Sequence, residues 1–474
     1  MKRRDFFRNA SLAVVGSSIA APVRSLAAVT GSSATQAKNI IFLVSDGMST
    51  GTLNMANMLL KRKEGRSSEW VRLYEEGLVK RALMDTASAS SLVTDSAAAS
   101  SSWGGGMRVN NGSLNVGPNG EAYKPILQKF KSAGKSVGCV TTVPITHATP
   151  AGFCVNSKSR GDQADIALQY LDLQFDVMMG GGAEFFSKEK RKDKADVFGR
   201  FRQKGFAVVQ DRDAMLALQP GAKKPVLGVF HEDGLPYTLD AQQDAAITKT
   251  VPTLAEMTQA AIRHMNTNSK GFVLQVEGGK VDWAAHANDG AALLYDQIAF
   301  DDAIKVAVDF AEKDKNTLVI ITTDHGNANP GLFSGSKANA NFDRIQTYKH
   351  TNDWILRGIT RDFSAAQVIE RIEAAQGYAI TQDEAAQLLQ HYAKTDGDGL
   401  YNPYKLPFKE LALIQRRYNS IGWGSMDHSA DYVELAMLGP GSEKLGQFVK
   451  NTDLHYLMLE AAGMEVERRK LSAR

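Results

Sequence analysis

Five short segments of this chain carry residue types suited to metal-assisted hydrolysis. Ser96 sits in Val93-Thr94-Asp95-Ser96-Ala97-Ala98-Ala99, a small-residue run around one serine. Asp46 lies in Ser45-Asp46-Gly47-Met48, while Glu277, Asp282 and His286 share Glu277-Gly278-Gly279-Lys280-Val281-Asp282-Trp283-Ala284-Ala285-His286. Asp324 and His325 fall in Thr323-Asp324-His325-Gly326, and His428 in Met426-Asp427-His428-Ser429. A serine hydroxyl is a poor nucleophile until its proton is removed or stabilised. Neither a Gly-x-Ser-x-Gly elbow nor a Ser-His-Asp order surrounds Ser96, so metal activation is the more natural route. Asp282 and His286 have the i, i+4 spacing that puts two side chains on one helical face, where both can reach one cation. The Ala/Ser-rich stretch that Ser96 opens reads as a helix, and amide groups at its start would point toward a bound phosphate. Standing alone, Ser96 would read as the N-cap of a buried small-residue helix.

Apolar runs at 40–44, 136–142, 272–276 and 318–322 end in polar, Gly-containing turns and alternate with helical patterns. That alternation predicts an α/β fold with a mostly parallel sheet covered on both faces. Ligand sites in such sheets lie at the carboxyl ends of strands, and Asp46, Glu277 and Asp324 all fall there. The stretch 287–312 reads as one long amphipathic helix, with Ile298, Ala303, Ile304, Ala307 and Phe310 on its apolar face. The region 331–424 has a different texture: a Gly/Ser/Asn-rich loop, helical patterns at 365–376 and 382–393, then Asp396-Gly397-Asp398-Gly399. It reads as an insertion packed on the core, a lid or crown-like region over the site or a dimer face. The Asp-Gly-Asp-Gly piece lacks the rest of a twelve-residue calcium loop and reads as a solvated turn.

In this order, and across most of the chain, the motifs resemble those of the alkaline phosphatase family. The resemblance implies a three-layer sandwich, a single catalytic domain over 28–474, and three metal sites. One Zn2+ would be held by Asp282, His286 and His428, and a second by Asp46, Asp324 and His325 with Ser96 beside it. The third site, Asp46, Thr149 and Glu277, would take Mg2+, or Zn2+ in its place. Arg160, in Asn156-Ser157-Lys158-Ser159-Arg160, matches the family arginine that clamps two phosphate oxygens, a task suited to a planar guanidinium. The implied reaction is hydrolysis of phosphate monoesters through a phosphoserine at Ser96, with an alkaline optimum and broad tolerance of the leaving alcohol. Two near-site positions vary within the family. His147 stands where some bacterial members have Asp, which would favour zinc or weaken magnesium at the third site. Trp283 stands where others carry Lys or His, which would speed phosphate release. Taken singly, Asp46 could be a turn residue, His325 a loop histidine and Thr149 a cap before Pro150. Jointly they would have to produce three matched ligand sets by chance.

The formal charge of +3 is set by the N-terminus: the first 27 residues carry five Lys and Arg against Asp5, so the remainder is close to neutral. Nothing basic is left to suggest nucleic-acid binding. Arg3-Arg4-Asp5-Phe6-Phe7, the apolar Leu12-Ala13-Val14-Val15-Gly16 and the small-x-small Ser25-Leu26-Ala27 read as a twin-arginine signal peptide over 1–27. No later stretch is apolar for long enough to span a bilayer, so a periplasmic or secreted mature protein without membrane anchor is expected. Family members are commonly homodimers, and the resemblance implies the same here. Cys139 and Cys154 are the two cysteines, a pair that either bridges or stays as buried thiols. Among rival hydrolases, sulfatases need a Pro- and Arg-containing motif that Ser96-Ala97-Ala98-Ala99-Ser100 lacks, and diesterases more often use Thr. A binding protein without turnover would usually have lost its nucleophile.

Overall fold

The computed structural model describes residues 36–219, 224–393 and 405–466. The expected signal peptide over 1–27 and the turn at Asp396-Gly397-Asp398-Gly399 lie outside them. Strand β1 (Asn39–Val44) is buried along its whole length. Its alternate residues feed two separate apolar clusters, Ile40, Phe42 and Val44 on one side and Ile41 and Leu43 on the other. A strand apolar on both faces has to be covered on both.

Nine strands extend the sheet: β2 (Lys80–Asp85), β3 (Ser136–Pro144), β4 (Val177–Gly181), β5 (Ala207–Val209), β6 (Val226–Val229), β7 (Phe272–Glu277), β8 (Thr317–Thr322), β9 (Val433–Leu438) and β10 (Phe448–Lys450). The order is β10-β2-β9-β8-β1-β7-β3-β4-β6-β5. Strand β9 pairs antiparallel with both β2 and β8, and the other pairings are parallel. The expected strands at 40–44, 136–142, 272–276 and 318–322 are β1, β3, β7 and β8.

Helices cover the two faces. Helices α1 (Ser96–Gly105) and α2 (Ala148–Cys154) put Ala97, Trp103 and Phe153 into the first cluster. Helices α3 (Lys280–His286) and α4 (Gly290–Asp314) put Val281, Ala284, Leu293 and Ile304 into the second. Helix α4 is displaced from the expected 287–312. Asn288 takes a left-handed φ of 50°, and the Asp289 carboxylate accepts the amides of Ala291 and Ala292, so the chain breaks after α3 and a new helix starts.

The region 331–424 builds a third cluster from Phe342, Ile355, Val368, Ile372 and Leu388. It also takes in Met55 and Leu59 from the helix Thr50–Glu64 and Leu294 from α4. It therefore packs on the core rather than standing off it. Cys139 and Cys154 are buried free thiols, 3.7 Å apart at Sγ. Among the described residues, no helix is long and apolar enough to cross a membrane.

Candidate metal and phosphate site

Register brings three carboxylates together. Val44 stands opposite Glu277 on one side and Thr322 on the other, so the ends of β1, β7 and β8 deliver Asp46, Glu277 and Asp324 to one place. Gly47 turns the chain away after Asp46. Its φ is +66° and a Cβ would lie 2.5 Å from Asp282 Oδ1, so a side chain has neither the conformation nor the room. The Gly47 amide donates to Asp324 Oδ1 at 2.9 Å.

Helix α1 begins at the same edge. Its N-cap is Asp95 rather than Ser96: the Asp95 carboxylate accepts the Ala98 amide at 2.9 Å. Ser96 becomes the first helical residue, with its hydroxyl 3.3 Å from His325 Nε2. The small-residue run has a packing purpose as well. Gly104 and Ser100 touch Gly152 so closely that a Cβ at either glycine would collide with α2 or α1. Close approach of the two helices brings in Thr149, whose Oγ1 donates to Asp46 Oδ2 at 3.1 Å.

Three histidines are oriented alike. The Nδ1–H of His286 donates to the Met426 carbonyl (2.6 Å), that of His428 to Thr94 (3.0 Å), and that of His325 to Gly326 (3.2 Å). Each bond leaves the lone pair on Nε2. Those lone pairs then face other acceptors. His286 Nε2 is 3.0 Å from His428 Nε2, and each lies 3.5 Å from an Asp282 oxygen. His325 Nε2 is 3.1 Å from Asp324 Oδ2 and 3.7 Å from Asp46 Oδ1. Acceptors crowded against acceptors repel unless a cation lies between them.

Ligand atoms of Asp282, His286 and His428 lie within 4.8 Å of one another, as do those of Asp46, Asp282 and His325, and those of Asp46, His147 and Glu277. His147, expected only near the site, thus stands inside the third cluster. Asp46 Oδ1, Asp324 Oδ2, Glu277 Oε1 and His147 Nδ1 are buried without a hydrogen-bond partner. Buried polar atoms are nearly always satisfied, so the three carboxylate oxygens together fit divalent cations. The donor chemistry also fits, with imidazole and carboxylate in the first two clusters and mostly oxygen in the third.

The protonation equilibria show the same shortage of positive charge. Burial, then Asp324, Asp282 and Glu277, push the Asp46 carboxyl well above its usual range. Burial raises Glu277 to about 7. Against burial, the Asp282 carboxylate raises His428 to about 9. The charges of His286 and His428 in turn overcome burial and hold Asp282 well below the carboxylate range.

Arg160 stands beside this cluster. Its Nη1 pairs with Asp95 Oδ2 at 3.1 Å and its Nη2 donates to His147 Nε2 at 3.1 Å. Trp283 lies edge-on to the His147 ring at 6.0 Å, and the Lys280 ammonium is 4.6 Å from the Trp283 ring. Asp95, Thr141 and Asn327 escape a reading of the sequence alone. An Asp before an Ala-rich helix is a visible capping signal, but its pairing with Arg160 is not. Thr141 Oγ1 donates to Glu277 Oε2 at 2.5 Å, and Asn327 Nδ2 to Asp282 Oδ1 at 2.7 Å. Both orient carboxylates from distant parts of the chain, and no local pattern marks them.

The family profile described as "Alkaline phosphatase" matches residues 37–464. Alkaline phosphatase 4 of Bacillus subtilis (strain 168) is 31% identical over 88% of this chain and 87% of its own length. Streptomycin-6-phosphate phosphatase of Streptomyces griseus is 30% identical over 67% of this chain and 80% of its own. The crystal structure of Thermus thermophilus alkaline phosphatase superposes with a TM-score of 0.83 at 31% identity, covering 92% of this chain and 93% of that one.

Proposed function

This chain belongs to the alkaline phosphatase family and is a phosphomonoesterase, and from that premise we propose that Ser96 is its nucleophile in a site for three divalent cations. Asp282, His286 and His428 would hold one zinc, and Asp46, Asp324 and His325 a second. Asp46, Glu277 and Thr149, joined by His147, would hold magnesium, or zinc in its place. When bound, these ions supply Lewis acidity that stabilises an ionised hydroxyl and the charge developing on the attacking and leaving oxygens.

The side chains carry the remaining steps. Ser96 Oγ attacks the phosphorus in line, and the proton it gives up passes through solvent to the departing alkoxide. The ester P–O bond breaks, the alcohol leaves, and a phosphoseryl enzyme remains. Water then attacks the same phosphorus, phosphate departs, and the Ser96 hydroxyl is restored. The amide end of α1 favours the anion throughout. Arg160, held on one side by Asp95, presents a planar donor pair to two phosphate oxygens. Orientation and charge neutralisation do most of this work, because phosphoryl transfer asks little covalent chemistry of the protein.

The observation that carries this reading is the set of acceptors facing acceptors around Ser96, with His286 Nε2 3.0 Å from His428 Nε2 and the oxygens Asp46 Oδ1, Asp324 Oδ2 and Glu277 Oε1 unpartnered. The test is hydrolysis of p-nitrophenyl phosphate by the mature protein and by Ser96→Ala, with chelator and after separate return of zinc and magnesium. The reading requires activity that chelator abolishes, zinc restores, magnesium raises and Ser96→Ala lacks, with an acid-stable phosphoseryl peptide containing Ser96. A metal-replete wild type that hydrolyses bis-nitrophenyl phosphate but not the monoester would overturn it. Arg3-Arg4 and the apolar segment after them support twin-arginine export, which an N-terminal deletion and cell fractionation would test.

A further inference from the structure

We propose that a cavity beside His286 and His428 receives the alcohol part of the substrate and selects phosphomonoesters whose alcohol carries an aromatic ring and a second anionic group. The inference rests on reading Ser96 as the nucleophile and the cluster of Asp282, His286 and His428 as the side from which the alcohol leaves. It gives the region 331–424 a part in substrate recognition.

In-line displacement puts the leaving oxygen opposite the attacking one. Ser96 Oγ stands 3.3 Å from His325 Nε2, so the ester oxygen departs toward His286 and His428, and the alcohol extends past them. A cavity of about 450 Å3 borders these two histidines, a size suited to a small organic molecule. Part of its wall is continuous with the cluster. Asn288, two residues after His286, lines it, as do Met426 and Asp427, immediately before His428. The Met426 carbonyl accepts Nδ1–H of His286 at 2.6 Å, and Asn288 Nδ2 donates to the Ser425 carbonyl at 2.9 Å. The segment that orients His286 therefore also shapes the cavity.

The rest of the wall comes from the region 331–424. The helix Phe408–Asn419 contributes Lys409, Leu413 and Arg416, spaced i, i+4 and i+7 and so aligned on one helical face. Leu413 is 61% exposed, an apolar side chain left uncovered between two cations. Trp423, packed against two of the apolar clusters, adds an aromatic ring to the same cavity. Of the acids in the lining, Glu410 lies 3.7 Å from His391, and Asp427 has an interaction of its own. Among the described residues neither Lys409 nor Arg416 pairs with a carboxylate, and Arg416 lies 5.3 Å from the Phe333 ring. Trp423 and Leu413 suit a flat apolar ring, and the two cations suit an anion. Ser96 and Arg160 already account for the reacting phosphate, so the second anionic group belongs to the alcohol.

The test gives the full chain, loaded with zinc and magnesium, two matched esters: para-hydroxyphenylpropionate O-phosphate and the corresponding amide. They share the ring, the phosphate and nearly the same leaving phenol, and differ in one distal negative charge. Wild type should hydrolyse the carboxylate ester with kcat/KM roughly fivefold above that of the amide, the upper scale of an exposed ion pair. In the double variant Lys409→Gln, Arg416→Gln that ratio should fall to about one. Relative to wild type, Trp423→Leu should lower kcat/KM severalfold for both aryl esters and less for beta-glycerol phosphate, which brings no ring to the cavity. A wild-type ratio near one, or a ratio that survives loss of both cations, would overturn the inference. Equal losses on all three esters in folded Trp423→Leu would overturn its aromatic part. Ser96→Ala separates the inference from the reading beneath it. If that variant hydrolyses the esters as wild type does, the attacking oxygen is misplaced and both fall. If it is inactive while the wild-type ratio is near one, only the inference falls.

Discussion

Two histidines in different regions start from the same local arrangement and end in opposite states. At the carboxyl edge of the sheet, His428 donates Nδ1–H to the Thr94 carbonyl at 3.0 Å. Where the helix Asp453–Ala461 packs against α1, His455 donates Nδ1–H to the Trp103 carbonyl at 2.8 Å. The other ring nitrogen decides the difference. His455 Nε2 accepts from the Lys129 ammonium at 2.8 Å, whereas His428 Nε2 faces His286 Nε2 and Asp282. Burial and Lys129 push His455 down to about 4, while Asp282 lifts His428 to about 9. One ring has a donor for its second nitrogen, and the other faces an imidazole and a carboxylate.

The same contrast separates larger networks. Within the region 331–424, Asn352, Gln376, Gln415 and Tyr378 form a buried amide cluster. Asn352 Nδ2 donates to Gln415 Oε1 (2.8 Å), Gln415 Nε2 to both Asn352 Oδ1 (2.7 Å) and Gln376 Oε1 (2.8 Å), and Tyr378 OH to Gln376 Oε1 (2.8 Å). Each donor meets an acceptor, so the network stabilises and asks for no ligand. Around Asp46, buried acceptors are left over. The two clusters share polarity and burial and differ in how many of their acceptors are matched.

The strongest challenge to this contrast is Ser96→Ala. Its hydroxyl belongs to the incomplete cluster, so turnover of p-nitrophenyl phosphate should fall by roughly three orders of magnitude or more, with melting temperature nearly unchanged. Chelation comes next. Stripping cations should leave the crowded acceptors unshielded, abolish turnover and lower the melting temperature by several degrees, as differential scanning calorimetry with and without zinc would show. An unchanged melting temperature would mean that the incomplete cluster needs nothing.

His455 tests the complete side. Its folded pKa of about 4 lies below the unfolded value near 6.5, so between these pH values the unfolded chain binds the extra proton. Stability should therefore be full above pH 6.5 and lost as pH falls toward about 4, by up to about 3 kcal/mol. Urea melts across that range should show the slope, and His455→Gln should flatten it. Asn352→Ala should cost about 2 kcal/mol by leaving the Gln415 and Gln376 amides unsatisfied, while kcat/KM of the folded fraction stays the same. The smallest effect is expected for Trp283→Lys, a few-fold lower inhibition constant for phosphate with slower release. The Lys280 ammonium, 4.6 Å from the Trp283 ring, would oppose a second cation there and keep the change modest.

Much of this was legible before folding was considered. The apolar runs before Asp46, Glu277 and Asp324 marked strand ends, and Asp282 with His286 carried helical spacing. The start of α4 was misplaced because Asn288 and Asp289 break and cap within an otherwise continuous apolar period. Ser96 was recognisable as a helix start, yet the cap is Asp95, since a carboxylate one residue earlier reaches the amides that a serine cap would have taken.

By itself the sequence determined the class of fold, the identities of the carboxylates and imidazoles, and the edge of the sheet on which they would gather, because strand and helix periods act over a few residues. Only the tertiary structure decided which acceptors would be left without donors. Val44 had to lie between Glu277 and Thr322, Gly47 had to pass against Asp282, and His286 and His428, 142 positions apart, had to turn their lone pairs on each other. It also decided that Arg160 would spend a donor on His147. Hydrogen-bond satisfaction is a property of assembled neighbours, and no local pattern in the chain encodes it.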